Sequence, residues 1–124
     1  MKTINDKGDQ VFHCPVEATV SVLGGKYKAA VIYHLAQDGI LRFSQLQKLT
    51  PQATAKMLTQ QLRELEADGF VRREVYPVVP PKTEYSLTDY GRTLTPIVDQ
   101  MCKWGNEHMA ERILPSSHEL ADQA

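Results

Sequence analysis

The sequence has little of what would mark a membrane-spanning, disulfide-built or disordered protein. No apolar run approaches the roughly 18 residues that a bilayer-crossing helix needs. Two cysteines, Cys14 and Cys102, are too few for a disulfide scaffold. Met1 to Gln10 is polar and lacks the apolar stretch of a secretory signal, so the expected location is the cytoplasm. No Gly-rich phosphate loop, HExxH spacing, nucleophile elbow or paired-carboxylate constellation occurs, which argues against an enzyme and calls for no cofactor. Internal repeats and low-complexity stretches are missing too. So is an excess of charge of one sign. Fourteen Lys and Arg stand against fifteen Asp and Glu, for −1 overall, and bulk charge therefore does not advertise a nucleic-acid partner.

What is present is the composition of one ordinary globular domain: 124 residues, 42% hydrophobic and 23% charged. The charge is unevenly spread. Residues 24–63 carry six basic side chains (Lys26, Lys28, Arg42, Lys48, Lys56, Arg63) against Asp38 alone, a block of +5. The segments on either side are acidic, −1 before the block, −2 over residues 64–92 and −3 over residues 93–124. A basic block between acidic flanks is either a solvated helical surface or the footprint of a polyanion.

The local signals give an order of elements. Residues 1–12 read as a flexible arm and residues 114–124 as a polar tail, leaving a domain over residues 13–113. Cys14-Pro15-Val16-Glu17 is a helix start, with proline at the first helical position and Cys14 at or next to the N-cap. Val16, Val20 and Leu23 follow at helical spacing up to Gly24-Gly25. A second helix is expected over Tyr27 to Gln37 and a short third over Arg42 to Leu49. Residues 53–68 are rich in good helix formers and stop at Gly69. Phe70 to Tyr76 and Thr83 to Leu87 read as strands around a proline-stiffened tip, a hairpin over about residues 70–88. A long last helix over about residues 89–113 carries Leu94, Ile97, Val98, Met101 and Trp104. Mostly α with one β-hairpin in this order is the α+β pattern of a winged helix-turn-helix, with extra helices at both ends.

In that fold the helix over 53–68 would be the recognition helix. Leu58, Leu62 and Leu65 fall within roughly 60° on a helical wheel and define its buried stripe. Lys56, Gln60 and Arg63 lie nearly opposite, with Met57 and Thr59 on the flanks. Lys and Arg can donate to guanine edges, Gln can pair bidentately with adenine, and Thr or Met can touch a thymine methyl. Lys82, expected at the wing tip, is a candidate for a phosphate contact, as are Lys26, Lys28 and Arg42. Arg72 and Arg73 project from opposite faces of their strand, so at most one of them, taken as Arg73, serves the same groove.

The motifs CPVE, LGGKY, RFSQL, KMLTQQLRELEADGFVRR and VPPKTEYSLTDYG, with the late Trp104, resemble the HxlR family of bacterial winged-helix regulators over about residues 14–105. Tyr27 stands where that family commonly has tryptophan, and Lys82 where it often has arginine; both keep the chemical type. The resemblance implies a homodimeric, sequence-specific transcription factor on double-stranded DNA, one half-site per subunit. It also implies that the first and last helices form the seam, here Val16, Val20, Leu94, Ile97, Val98, Met101 and Trp104. Read without the family, the stripe on the last helix is equally well explained by packing inside one subunit. Pairing two half-sites would raise both affinity and specificity for so small a domain.

Cys14 has the setting of a reactive thiol, since a helix N-terminus presents unpaired N–H groups and the positive end of the dipole to a thiolate. Some regulators that this chain resembles sense oxidants or electrophiles through a cysteine before that proline. Cys14 is therefore a candidate redox sensor, with an inert N-cap as the alternative. Cys102, between Met101 and Trp104, suits a small apolar role or the second half of an intersubunit disulfide with Cys14, which needs a Cα separation below about 7 Å. Two other functions stay open at this point: a winged helix used for protein contacts, and a metal- or small-ligand-responsive regulator using His13, Cys14, Cys102 or His108, although no tight Cys/His cluster is present.

Overall fold

The computed structural model describes residues 3–114. The expected tail lies outside the described residues apart from Leu114.

The arm is not featureless. Thr3–Ile4 (β1) and Gln10–Val11 (β2) pair antiparallel across a turn built on Asn5. The Asn5 Oδ1 accepts from the backbone N–H of Lys7 at 3.0 Å and of Asp9 at 2.9 Å. An asparagine that satisfies two turn amides closes a hairpin that the low apolar content of the segment does not announce.

Pro15–Leu23 forms α1 with Cys14 as its N-cap, and Lys28–Asp38 forms α2. The next element was not expected. Ile40–Arg42 is a strand, β3, running directly into α3, Phe43–Leu49. The helix expected to read bases, α4, spans Ala55–Ala67, two residues later at its start than the sequence suggests. Thr54 is the reason, since its hydroxyl caps the helix by accepting from the Met57 N–H at 3.1 Å. At the other end Gly69 takes φ +85°, a left-handed conformation that suits glycine, and turns the chain into the sheet. Val71–Tyr76 (β4) and Lys82–Leu87 (β5) form the wing hairpin. The sheet is three-stranded in the order β3-β5-β4, with Leu41 opposite Tyr85 and Arg73 opposite Tyr85 from the other side.

The expected single helix over residues 89–113 is divided into α5, Asp89–Arg92, and α6, Thr95–His108, followed by a 3₁₀ turn at Ala110–Arg112. Pro96 has no N–H to continue α5 through the Arg92 carbonyl, so it starts a new helix instead. Thr88 fixes the corner. Its hydroxyl donates to the Gly69 carbonyl at 2.6 Å and accepts from the Gly91 N–H at 2.9 Å. Gly91 lies so close to the Phe70 carbonyl that a Cβ would sit 2.0 Å from that oxygen.

The core lies between α2, α3, α4, the sheet and one side of α6. Val31, Ile32, Leu35, Leu46, Leu58, Leu62 and Leu65 are almost fully buried there with Val71, Leu87 and Val98. Every leucine of the α4 stripe is inside, so the opposite side of that helix is presented outward with the wing beside it. This is the architecture of a winged helix-turn-helix, mostly helical with a small sheet.

Candidate nucleic-acid interface

The exposed side of α4 gathers the residues expected to read bases. Lys56, Thr59, Gln60 and Arg63 line one shallow depression on the helix surface, and Met57 flanks it, partly exposed. Thr59 is half-buried and its hydroxyl donates to the Ala55 carbonyl at 2.7 Å. Its proton is committed, leaving the methyl and the oxygen lone pairs for other contacts.

A second depression joins this helix to the wing. Thr59, Arg63 and Glu66 of α4 line it with Arg73 and Tyr85 of the sheet. The alternation along β4 places Arg73 on the α4 side of the wing. Arg72, on the other side, is tied to Glu74 at 3.1 Å. Of the two arginines, Arg73 is the one that shares a depression with α4.

The cations divide into partnered and unpartnered groups. Among the described residues, Arg42, Lys56, Arg63 and Arg73 have no ion-pair partner, and all four are exposed. Arg42 stands where β3 enters α3, its backbone N–H capped by the Gln45 side chain at 2.8 Å. Lys26 is exposed ahead of α2, with its ammonium 5.6 Å from the centre of the Tyr27 ring.

Two of the expected phosphate candidates are ion-paired. Lys82 is not at the tip of the wing but opposite Tyr76 in the ladder; its ammonium meets Glu84 at 3.0 Å and lies 5.1 Å from the Tyr76 ring centre. The tip itself is Pro77 to Pro81, uncharged, with Val79 fully exposed. Lys28 is buried and bridges to Glu64 of α4 at 2.8 Å. Hydrogen bonding from Lys28 and its charge, with a weaker contribution from Gln60, outweigh partial burial and hold the Glu64 carboxyl below the usual carboxylate range. Sequence reasoning missed this pair, because nothing local relates residues 28 and 64.

The residues expected at a subunit seam also divide. Leu94 and Val98 are 7% and 2% exposed, inside the protomer's own core, and have no surface left for a second copy. Val16, Val20, Ile97, Met101 and Trp104 are exposed. Four of them, Val16, Val20, Ile97 and Met101, line an apolar groove between α1 and α6 together with Pro15, Thr19 and Leu23. Trp104 continues the same side of α6 and is stacked at a tilt on His108.

The cysteines lie on different surfaces. Cys14 is exposed at the start of α1, where its side chain makes no capping hydrogen bond. Cys102 is half-buried against α2, 3.4 Å from the Tyr33 hydroxyl, with Asn106 at 3.6 Å. Among the described residues, no group of three or more His, Cys, Asp or Glu is placed to hold a metal ion. No described helix is long and apolar enough to cross a membrane.

Comparison with known proteins agrees with this geometry. The family model of the HxlR-like helix-turn-helix matches residues 22–113. The HTH-type transcriptional regulator YybR of Bacillus subtilis (strain 168) is 58% identical over 95 residues, 77% of this chain and 75% of YybR. The solved structure of the redox regulator HypR in its oxidised form superposes with a TM-score of 0.72 at 58% identity, covering 77% of this chain and 97% of that one. HypR in its reduced form gives the same TM-score at 55% identity, over 81% and 100% of the two chains. With α4 outward, the wing beside it and the family match over both, the chain belongs to the HxlR-like helix-turn-helix family and is a sequence-specific DNA-binding transcriptional regulator rather than an enzyme.

Proposed function

We propose that this regulator binds an operator of paired half-sites as a homodimer closed over the α1–α6 groove, and that Cys14 makes binding respond to an oxidant or electrophile. In this reading Lys56, Met57, Thr59, Gln60 and Arg63 meet base edges, while Lys26, Arg42 and Arg73 meet phosphates. Cys102 stays a packing residue against α2.

One observation carries the redox part: the exposed Cys14 thiol adjoins Pro15 and Val16, which line the apolar groove itself. A group added to that sulfur alters the surface on which two copies would meet. A changed subunit angle changes the separation of the two recognition helices, and with it the fit to half-sites one helical turn apart. The similarity to a redox regulator solved in both oxidised and reduced forms supports the same reading.

The test uses the wild type, Cys14→Ser and Cys102→Ser, each reduced or treated with oxidant, on a promoter fragment recovered by genome-wide binding. Oxidant is expected to change the affinity of the wild type and of Cys102→Ser and to leave Cys14→Ser unaffected. A full response in Cys14→Ser removes Cys14 as the sensor. Non-reducing gels separate the routes, because a crosslinked dimer lost in both variants assigns a bond between Cys14 and Cys102 of the partner subunit. A persistent monomer band excludes that bond.

A further inference from the structure

The depression between α4 and the wing is built from two sides. Thr59, Arg63 and Glu66, spaced four and three apart on α4, line it together with the buried Leu62. Arg73 and Tyr85 line it from the sheet, where they stand directly opposite in the β4–β5 ladder and so leave the same face. Tyr85 is 7% exposed and its ring belongs to the core. Among the described residues, the buried side-chain polar atoms sealed off without a partner are the Tyr27 hydroxyl and Gln61 Oε1. The Tyr85 hydroxyl is not one of them, and no described residue hydrogen-bonds it, so it opens to solvent where Tyr85 lines the depression. A phenylalanine would fill the same place in the core. The hydroxyl is therefore left for something outside the fold. Arg63, Arg73 and Glu66 have no ion-pair partner among the described residues, and two guanidinium groups against one carboxylate give the depression a charge of +1.

We propose that this depression seats one phosphodiester of the DNA backbone, with the Tyr85 hydroxyl and the Arg73 guanidinium as its donors and Arg63 passing beside it to a base. The proposal rests on the assignment of Arg73 to a phosphate and adds Tyr85, which the sequence places only in a strand. Both groups donate, and an ionised phosphate oxygen is the acceptor that makes such bonds short and strong. The Tyr85 ring is already held by the core, so little rotamer freedom is lost when its hydroxyl meets DNA. The charge of +1 matches the single negative charge of a phosphodiester. A free phosphate dianion would leave an excess of negative charge beside Glu66. A phosphate gripped between α4 and the wing fixes how α4 sits on the duplex without reading a base itself.

The test compares wild type, Tyr85→Phe, Arg73→Gln and the double variant on a duplex recovered by selection from random sequence. The same duplex is then made with one phosphate at a time replaced by a neutral methylphosphonate. Urea unfolding of Tyr85→Phe is expected to match the wild type, because the hydroxyl has no partner within the fold. Its affinity falls about tenfold, the scale of one hydrogen bond to a charged group, on selected and unrelated duplex alike, and base preference is kept. The slope of log affinity against log salt stays the same in Tyr85→Phe and falls by about one unit in Arg73→Gln, since only the guanidinium displaces a counterion. One methylphosphonate position per half-site weakens the wild type and costs nothing further in the double variant. Inorganic phosphate competes no better than chloride at equal ionic strength. Wild-type affinity in Tyr85→Phe, a lowered unfolding midpoint, or different methylphosphonate positions for the two single variants overturns the role of the hydroxyl while the assignment of Arg73 stands. An unchanged salt slope in Arg73→Gln overturns both. Competition by inorganic phosphate that Tyr85→Phe abolishes overturns the phosphodiester and assigns the depression to a free anion.

Discussion

The two long helices of the C-terminal two-thirds, α4 and α6, are nearly equal in length and finish differently. Both carry apolar residues at helical spacing. On α4 the stripe is narrow, and Leu58, Leu62 and Leu65 are all inside the protomer. On α6 there are two stripes about one residue apart. Leu94, before its first turn, and Val98 face inward, whereas Ile97, Met101 and Trp104 face outward. A helix whose apolar side is fully buried can offer a polar surface to a rigid partner. One with a second, unburied apolar stripe offers the kind of surface that subunits share.

The widest separation between the two helices comes from substituting one residue on each. Leu62→Ala is expected to destabilise the fold by about 2–5 kcal/mol through an unfilled cavity, read from urea unfolding. Met101→Asp is expected to leave the far-UV circular dichroism of the fold intact and to convert a dimer to a monomer in sedimentation. A stable, folded dimer in Met101→Asp would break the contrast. The polar sides give a smaller effect. Arg63 on α4 and Lys103 on α6 are both exposed and lack ion-pair partners among the described residues. Arg63→Ala should weaken operator binding by about 1–3 kcal/mol, the scale of one lost bidentate base contact, and Lys103→Ala should leave it unchanged. Equal losses would show that α4 is not the side facing DNA.

The smallest effect concerns acid stability. The Glu64 carboxyl is lowered by Lys28 in the folded protein, so its contribution is present above the ordinary carboxylate range and is lost as pH falls through the lowered value. Glu64→Gln should therefore flatten the acid limb of the stability curve. The change is small, since the Glu64 side chain is 42% exposed to solvent. An unaltered acid limb would mean that the pair ties α4 to α2 without stabilising the fold.

The helices with local punctuation were legible in the sequence. Pro15 marked α1 and placed Cys14 at its cap, and Gly69 closed α4. The wheel of α4 was legible as well, because three leucines against Lys56, Gln60 and Arg63 leave only one way to face a core. β3 was not. Three residues with Leu41 alone buried make no readable alternation, and their partner is β5, more than forty positions later. The sorting of α6 was equally hidden, since which of two apolar stripes turns inward depends on where α2 lies. Lys28 and Lys82 looked like free cations because the acids that hold them, Glu64 and Glu84, become neighbours only through tertiary contact and strand geometry. Net charge misled in the same way: neutrality over the whole chain coexists with unpartnered cations on α4 and the wing.

The small strand β3 has a mechanical consequence. It is hydrogen-bonded to β5 and continues without a break into α3, so the helix-turn-helix and the wing are joined through a shared sheet. They resemble the fixed jaws of a gauge more than two arms on a hinge. If Arg63 and Arg73 both meet DNA, the gap between them is a set dimension, and a duplex whose groove does not match it would have to bend or narrow to fit. Selectivity would in that case extend to base pairs no side chain touches, because the stiffness of the DNA is measured along with its letters.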